Sequence, residues 1–273
     1  MMRSLYTAAT GMISEQTNVD TIANNLANVN TTGYKTERTE FKSLLYQTIQ
    51  TRTTTANGEQ KPVGAQVGLG TRVAATTSMY TQGAQTASES LTDFMIDGSG
   101  FFAVRGADGE TYYTRNGSFS WSLDAGGNTI LATHEGYPVL DRTGNVIQVR
   151  DGVSAESMVF GSNGQIGYKD AATGNTILTN QYFAVYQFNN PAGLEKLSAS
   201  RLKESDASGQ PMLEGATPGL KESSVYQGYL EGSNVQVADE MVNLIIAQRA
   251  YEMNSKAITT ADTMMEEANN LKR

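Results

Sequence analysis

Ser233-Asn-Val-Gln-Val-Ala-Asp-Glu-Met-Val-Asn-Leu-Ile-Ile-Ala247 opens the C-terminal segment that decides the fold and that continues to Arg273. Apolar side chains recur in this segment at every seventh residue, at Val237, Leu244, Tyr251, Ile258 and Met265. This spacing places them on one side of a long helix. The residues just before the segment are polar and rich in turn formers, so the helix needs a partner from elsewhere in the chain.

The N-terminal segment carries a matching pattern. Its apolar residues are also seven apart, with a second row beside them: Leu5, Met12, Val19 and Leu26, then Ala8, Ile22 and Val29. We expect a helix from about Ser4 to Val29 or Asn30, and a stop near Gly33, because glycine adopts a left-handed conformation without steric cost. The two terminal helices are therefore predicted to form a coiled coil.

The middle of the chain has the pattern of a β protein. Glycine-containing turns recur about every 8–20 residues, as at Asn116-Gly117, Thr143-Gly-Asn145 and Asn163-Gly164, and favour a sandwich or barrel. We expect Asp97-Gly-Ser-Gly100 to join two strands. The aromatic residues of this region are its predicted core: Tyr112, Tyr113, Phe119, Trp121, Tyr137, Phe160 and Tyr168.

Between the first helix and the β region, the spacing of Phe41, Leu44, Leu45, Thr48 and Ile49 is helix-like but short, and predicts a connecting helix or an extended arm. The polar, threonine-rich arm that follows, residues 50–64, buries little surface by itself. The expected class is thus α+β, with an all-β insert carried by a helical stalk. The predicted domains are a helical polymerisation domain at 1–33 and 233–273, a connecting helix and extended arm at 34–70, and a β-rich outer domain at 71–232.

Composition excludes several classes of protein. The net charge is −8, the sequence pI is about 4.8, and no basic stripe for nucleic acid is present. Apolar runs are far shorter than the ~20 residues that cross a bilayer, so no membrane insertion is expected. The N-terminus lacks the apolar core of a cleaved signal peptide, so export would need another route. Cysteine is absent, which excludes disulfides and thiol chemistry.

No pattern of catalytic residues stands out. His134 is the single histidine and lies in a turn-rich segment, so a structural or exposed position is expected for it. Gly98-Ser-Gly100 is followed by two phenylalanines rather than by a phosphate-binding helix. We therefore expect no catalytic residue, no metal and no cofactor, and we do not expect an enzyme.

The asparagine-rich segment Ala23–Gly33 has two interpretations. Asn24 and Asn28 share a helix face, whereas Asn25 lies on another side. The segment is either the solvated end of a helix or a set of amides that bind neighbouring subunits. Because pairing the two helices covers only part of each apolar stripe, other copies of the chain should cover the rest, in a helical filament or tube.

Several motifs resemble a known family. Ser4-Leu-Tyr-Thr-Ala-Ala-Thr-Gly-Met12, Asn24-Asn-Leu-Ala-Asn-Val-Asn-Thr-Thr-Gly-Tyr-Lys35 and Gln248-Arg-Ala-Tyr-Glu-Met-Asn-Ser-Lys-Ala257 are similar to the terminal signatures of bacterial flagellar rod, hook and hook-associated proteins. Internal motifs extend the resemblance over nearly the whole chain: Gly98-Ser-Gly-Phe-Phe102, Tyr113-Thr-Arg-Asn-Gly-Ser-Phe119 and Gly136-Tyr-Pro-Val-Leu140.

The resemblance implies a structural subunit that polymerises into a hollow, torque-transmitting shaft in the flagellar basal body. It also implies export through the flagellar type III apparatus without a cleaved signal, proximal rod and hook proteins at the two ends, and ring proteins around the shaft. The residues assigned to subunit packing are Leu5, Met12, Val19, Asn24, Asn25, Leu26, Asn28, Gly33, Val237, Leu244, Gln248, Tyr251, Asn254, Ile258 and Met265.

Within the family, the segments that flank the polar arm are similar to those of distal rod members, Tyr46-Gln-Thr-Ile49 and Gln66-Val-Gly-Leu-Gly70. The resemblance implies that the arm helps to make a straight, rigid rod. A different rod paralogue or a hook protein is the alternative within the family. Outside it, the alternative is a β-rich carbohydrate- or protein-binding module on a helical oligomerisation stalk, with an enzyme third.

Overall fold

The computed structural model describes residues 2–50, 64–124, 126–150, 153–169, 175–198 and 200–271. The chain divides into two compact units. The helical unit comprises Met1–Ala27, Glu37–Ser78 and Gln236–Arg273, and the β unit comprises Asn28–Thr36 and Met79–Val235. This division differs from the predicted domains, because residues 71–78 belong with the helices. The predicted polar arm falls mostly on residues 51–63, which lie outside the described residues.

Both predicted terminal helices are present. Helix α1 spans Met2–Ala27, and helix α2 spans Val237–Asn270. Asp239 and Glu240 lie in the first turn of α2, where their charges complement the positive end of the helix. Gln236 occupies the N-cap position of α2 without a side-chain hydrogen bond.

The helical unit also contains strands β1, Glu37–Ser43; β2, Tyr46–Gln50; β3, Ala65–Gly68; and β4, Thr71–Ser78. β1 pairs antiparallel with β4, β2 pairs antiparallel with β3, and α1 packs against β1 and β4. The predicted connecting helix is therefore wrong. A helix this short is marginal by itself, and pairing with β4 and β3 gives the segment backbone hydrogen bonds to neighbouring strands instead.

The strands of the β unit, in chain order, are β5, Gln85–Ala87; β6, Phe94–Asp97; β7, Phe101–Arg105; β8, Thr111–Thr114; β9, Phe119–Leu123; β10, Thr129–Thr133; β11, Met158–Phe160; β12, Gln165–Lys169; β13, Thr176–Tyr182; β14, Val185–Gln187; β15, Glu195–Lys196; β16, Arg201–Lys203; β17, Met212–Leu213; β18, Ser224–Gln227; and β19, Tyr229–Glu231.

Within the described residues these strands form one sheet of six, in the order β15-β16-β8-β7-β14-β17, and one of three, β11-β12-β13. The remaining strands pair as β9 with β10, β6 with β18, and β5 with β19. Asp97-Gly-Ser-Gly100 does join two strands, but β6 and β7 pair with different neighbours. The α+β class is confirmed, whereas a sandwich or barrel stays a prediction.

Phenylalanines fill the core of the β unit. The side chains of Phe94, Phe102, Phe119 and Phe183 are at most 2% exposed, and their rings meet at tilted or edge-to-face angles. Of the predicted core aromatics, Tyr112, Tyr113 and Phe119 are buried. Trp121, Tyr137, Phe160 and Tyr168 are partly buried and pack against this core. The prediction of an aromatic core is confirmed, although the most deeply buried phenylalanines were not in it.

Candidate functional site

Helices α1 and α2 pack antiparallel in the helical unit. The Asn25 side-chain amide donates a hydrogen bond to Glu240 Oε2 at 3.2 Å. Gly11 lies against Asn254, so close that a Cβ added to Gly11 would come within 2.8 Å of Asn254 Nδ2. The two contacts are fourteen residues apart on each helix. The residue number falls along α1 as it rises along α2, so the helices are antiparallel. The register is therefore constant over about 21 Å of helix.

The contact between the helices uses small and polar side chains. On α2 the buried positions are Glu240, Ala247 and Ala261, with the half-buried Asn254 completing their seven-residue spacing. On α1 the buried side chains are Ala8, Ser14, Thr21, Ile22 and Asn25. The line of contact thus lies beside the predicted apolar stripe rather than along it. Small side chains let the helices approach closely, while large apolar residues of α2 such as Ile246 and Met253 stay exposed.

The outward surface of α2 is apolar. Val242, Ile246, Met253 and Met264 are between 55% and 64% exposed. Successive members of this set are four, seven and eleven residues apart. These intervals correspond to about one, two and three helical turns, so the four side chains lie on one side of the helix. We call these four residues the outer stripe. Val237, Met241 and Ile245 are also exposed, on another side of the helix. A contiguous exposed apolar surface of this kind is typical of an interaction site.

Asn25 ties α1 to the first strand of the helical unit. Its amide donates to the Glu37 carbonyl oxygen, and its Oδ1 accepts from the Glu37 backbone N–H, both at 2.9 Å. The neighbouring hydroxyls of Thr21 and Thr39 are hydrogen-bonded at 2.9 Å. One side chain therefore satisfies both backbone groups of a strand residue, as an adjacent strand would.

The predicted packing residues differ in exposure. Half-buried residues are Leu5, Met12, Val19, Leu26, Asn28, Leu244, Asn254, Ile258 and Met265. Exposed residues are Asn24, Val237, Gln248 and Tyr251. Asn25 and Gly33, which were expected at a subunit surface, are buried inside their own units. The sequence interpretation missed the outer stripe. The intervals of four and seven residues from Val242 to Ile246 and from Ile246 to Met253 could have indicated it.

The β unit contains a buried charge cluster around Glu231. Lys35 Nζ lies 2.6 Å from Glu231 Oε1, and Arg115 Nε lies 2.8 Å from Glu231 Oε2. The backbone N–H of Gly83 donates a further hydrogen bond to Oε1 at 2.9 Å. Lys35 also donates to the Thr81 carbonyl oxygen at 2.7 Å. One carboxylate thus holds together four segments that are far apart in the sequence.

Burial and the neighbouring positive charges shift the pKa of Glu231 in opposite directions. Burial alone would raise the pKa of this carboxyl group, but Arg115 and Lys35 lower it, and the net pKa is below the ordinary 4.5. Burial lowers the pKa of the Lys35 ammonium, and the attraction of Glu231 offsets part of that change. Glu231 is therefore ionised at neutral pH and serves as the counter-ion of two buried cations.

Two further residues lock the same region of the β unit. Asn234 Oδ1 accepts hydrogen bonds from the backbone N–H and the hydroxyl of Thr36, both at 2.7 Å, so it is not available as a helix cap. Gly33 has φ +70° and donates its N–H to the Glu231 carbonyl oxygen at 2.8 Å. A Cβ on Gly33 would lie 2.7 Å from the Asn116 backbone nitrogen, so only glycine fits.

Sequence reasoning missed this cluster. Lys35 and Arg115 stand inside the motifs quoted for the family resemblance, and Glu231 stands two residues before Ser233, where the C-terminal segment begins. Their positions in motifs are a signal of importance, but the pairing of charges that are 116 and 196 residues apart is decided by the tertiary structure.

His134 is exposed, as the sequence predicted. Its Nε2 lies 2.9 Å from Ser118 Oγ, and that hydroxyl lies 3.4 Å from Asp93 Oδ1. The serine stands between the histidine and the aspartate, whereas a nucleophilic triad needs the histidine in the middle. In the part of the chain that the structure describes, no group of acidic and histidine side chains could hold a metal ion, and no helix is long and apolar enough to span a membrane.

Three family models match the chain. They describe a flagella basal body rod protein at residues 5–35, a flagellar hook protein FlgE/F/G D1 domain at 95–168, and a flagellar basal body rod FlgEFG protein C-terminal region at 226–271. The first and last contain α1 and α2, and together the three include Lys35, Arg115 and Glu231.

Several relatives that match over nearly their full length are named flagellar basal-body rod protein FlgG. The chain is 44% identical over 275 residues to the flagellar basal-body rod protein FlgG of Borreliella burgdorferi, with 100% of both chains covered. The chain belongs to the flagellar basal-body rod protein family. FlgG of Agrobacterium fabrum is 42% identical, with 96% of this chain and 97% of the relative covered. FlgG of Buchnera aphidicola from Acyrthosiphon pisum is 40% identical, with 99% and 100% covered.

Proposed function

We propose that this rod-family chain is a structural subunit of the flagellar distal rod, the hollow drive shaft that assembles from many copies and transmits torque to the hook. Identity to FlgG proteins over the full length supports the assignment. The observation that best supports polymerisation is the outer stripe of α2. The large apolar side chains of this stripe are exposed, whereas the buried positions of α2 are small or polar.

In this proposal the antiparallel helix pair acts as a coiled-coil stalk, and neighbouring copies cover the outer stripe. The half-buried and exposed residues of the predicted packing set are further proposed contacts with neighbouring copies. Proximal rod proteins and the hook protein contact the two ends of the shaft, and ring proteins surround it. The subunit reaches the cell envelope through the flagellar type III apparatus without a cleaved signal.

An assembly assay with a matched pair of variants tests the proposal. Ile246→Asp places a charge in the outer stripe, and Leu123→Asp makes the same change at an exposed site in the β unit. Burying the new carboxylate between copies is costly, so Ile246→Asp should raise the protein concentration needed for assembly at least about tenfold. Leu123→Asp should assemble like the original chain. Sedimentation and electron microscopy measure assembly, and circular dichroism checks that both variants fold.

Equal assembly of the two variants would contradict a docking role for the outer stripe. The form of the polymer separates the alternatives within the family, since a distal rod protein gives straight tubes and a hook protein gives curved ones. Removal of residues 1–30 and 233–273 separates the polymer from the binding-module alternative. A β unit that keeps specific binding to a carbohydrate or protein after this removal would favour the module.

A further inference from the structure

Among the residues whose side chains the structure describes, the exposed methionines are concentrated on α2. Met241, Met253 and Met264 are 46–64% exposed, and two of them belong to the outer stripe. In the β unit, by contrast, Met95 and Met158 are at most 6% exposed, and Met79 is exposed outside any helix. Met253 and Met264 therefore place exposed thioethers on the outer stripe, and Met241 places one on another exposed side of α2.

Methionine differs from the other apolar residues of this surface because its sulfur can be oxidised. The chain has no cysteine, so no thiol competes with these sulfurs for an oxidant. Met253 and Met264 are separated by three helical turns, and Val242 and Ile246 continue the same stripe. A change in polarity at both sulfurs therefore affects most of the length of one continuous apolar surface.

We propose that Met241, Met253 and Met264 form a redox-sensitive modification site, at which conversion of the thioethers to sulfoxides by a peroxide prevents the docking of a second copy. The inference rests on the proposed function. In each reaction the sulfur gains one oxygen atom from hydrogen peroxide, and the peroxide is reduced to water. The sulfur loses two electrons, and no proton or other group leaves the protein.

The sulfoxide replaces a flexible apolar side chain with a polar one. Docking would then bury its S–O dipole against the apolar side chains of the next copy, without a hydrogen-bond donor to replace water. Free subunits are therefore sensitive to peroxide. Assembled subunits are protected, because the neighbouring copy covers the same sulfurs.

The test treats the full-length unassembled protein with hydrogen peroxide and follows each methionine by peptide mass spectrometry. Met241, Met253, Met264 and Met79 should be oxidised much faster than Met95 and Met158. The concentration needed for assembly should then rise at least about tenfold. The resistant variant replaces Met241, Met253 and Met264 with leucine, which keeps volume and helix propensity. The matched control is Met79→Leu.

Assembly of the resistant variant after peroxide, together with loss of assembly by the original chain and by Met79→Leu, supports the proposal. Recovery of the oxidised original chain after treatment with methionine sulfoxide reductases supports it without any substitution. Unchanged assembly of a chain that is fully oxidised at the three residues overturns it. Failure of the untreated original chain to assemble counts instead against the proposed rod function.

Discussion

At the scale of single residues, Glu231 is the side chain on which the β unit depends most. It accepts charged hydrogen bonds from Lys35 and Arg115 while all three groups are shielded from water. A buried ion pair is not by itself strongly stabilising, because bringing the charges out of water is costly. Removing one member is a different matter, since it leaves the opposite charge buried and uncompensated.

Glu231→Gln should therefore destabilise the β unit by about 3–5 kcal/mol, because two buried cations lose their only common counter-ion in the described cluster. Urea denaturation followed by tryptophan fluorescence of Trp121 measures the free energy of unfolding. Glu222→Gln is the control, since that carboxylate is exposed, and it should change the value by no more than about 0.5 kcal/mol. Equal effects of the two variants would show that the cluster has no structural role.

The lowered pKa of Glu231 also predicts a dependence on pH. The folded carboxylate resists protonation, so below pH 4.5 the unfolded chain binds more protons than the folded chain. The stabilising contribution is fully present above that value and is lost as the pH falls through the folded pKa. Denaturation at a series of pH values should show a shallower acid-side slope for Glu231→Gln. Identical slopes would mean that other carboxylates account for acid unfolding.

At the scale of elements, α2 has two sides that differ in side-chain size and exposure. The side toward α1 is small, with Ala247 only 1% exposed, and the outer stripe is large and apolar. A seven-residue apolar repeat predicted the helix, but it did not predict which side faces α1. Close approach of the two helices selects small side chains for the contact, and this choice depends on the distance between backbones.

Ala247→Leu should overpack the helix pair and reduce the free energy of unfolding of the helical unit by about 1–3 kcal/mol. Ala257→Leu is the matched control, because Ala257 is an exposed residue of the same helix and leucine is nearly as good a helix former as alanine. Far-ultraviolet circular dichroism of the unassembled chain during heating measures the difference. If Ala257→Leu reduced the free energy of unfolding as much as Ala247→Leu does, a close contact with α1 at Ala247 would be contradicted.

The segment from Glu37 to Gln50 shows the limit of local patterns. Its apolar spacing favours a helix, yet it forms β1 and β2. β1 is completed by β4, a strand that starts 28 residues after β1 ends, and α1 covers the pair. Long-range pairing gives these residues backbone hydrogen-bond partners that the ends of a short helix would have lacked.

At the scale of the whole molecule, the two units bury their apolar residues to different degrees. The β unit has a continuous phenylalanine core, whereas the helical unit leaves the outer stripe in solvent. Few buried apolar contacts mean local opening at low cost. The helical unit is therefore expected to be the more dynamic part of an unassembled chain.

Hydrogen exchange measured by mass spectrometry tests this difference. In the free chain, amides of α1 and α2 should exchange much faster than those of β6, β7 and β14. On assembly the exchange of both helices should slow at least about tenfold, because neighbouring copies cover them, while the core strands change little. Strong protection of both helices in a verified monomer would contradict the need for neighbouring copies.

The sequence by itself determined the α+β class, the two terminal helices, the aromatic core of the β unit and the family. All of these follow from periodic burial or from contiguous motifs, which are properties of local stretches of chain. Only the tertiary structure decided that small residues meet between α1 and α2, that residues 37–50 form strands, and that Lys35, Arg115 and Glu231 share one buried site. These choices depend on contacts between residues far apart in the chain, where packing distance and desolvation override local preference.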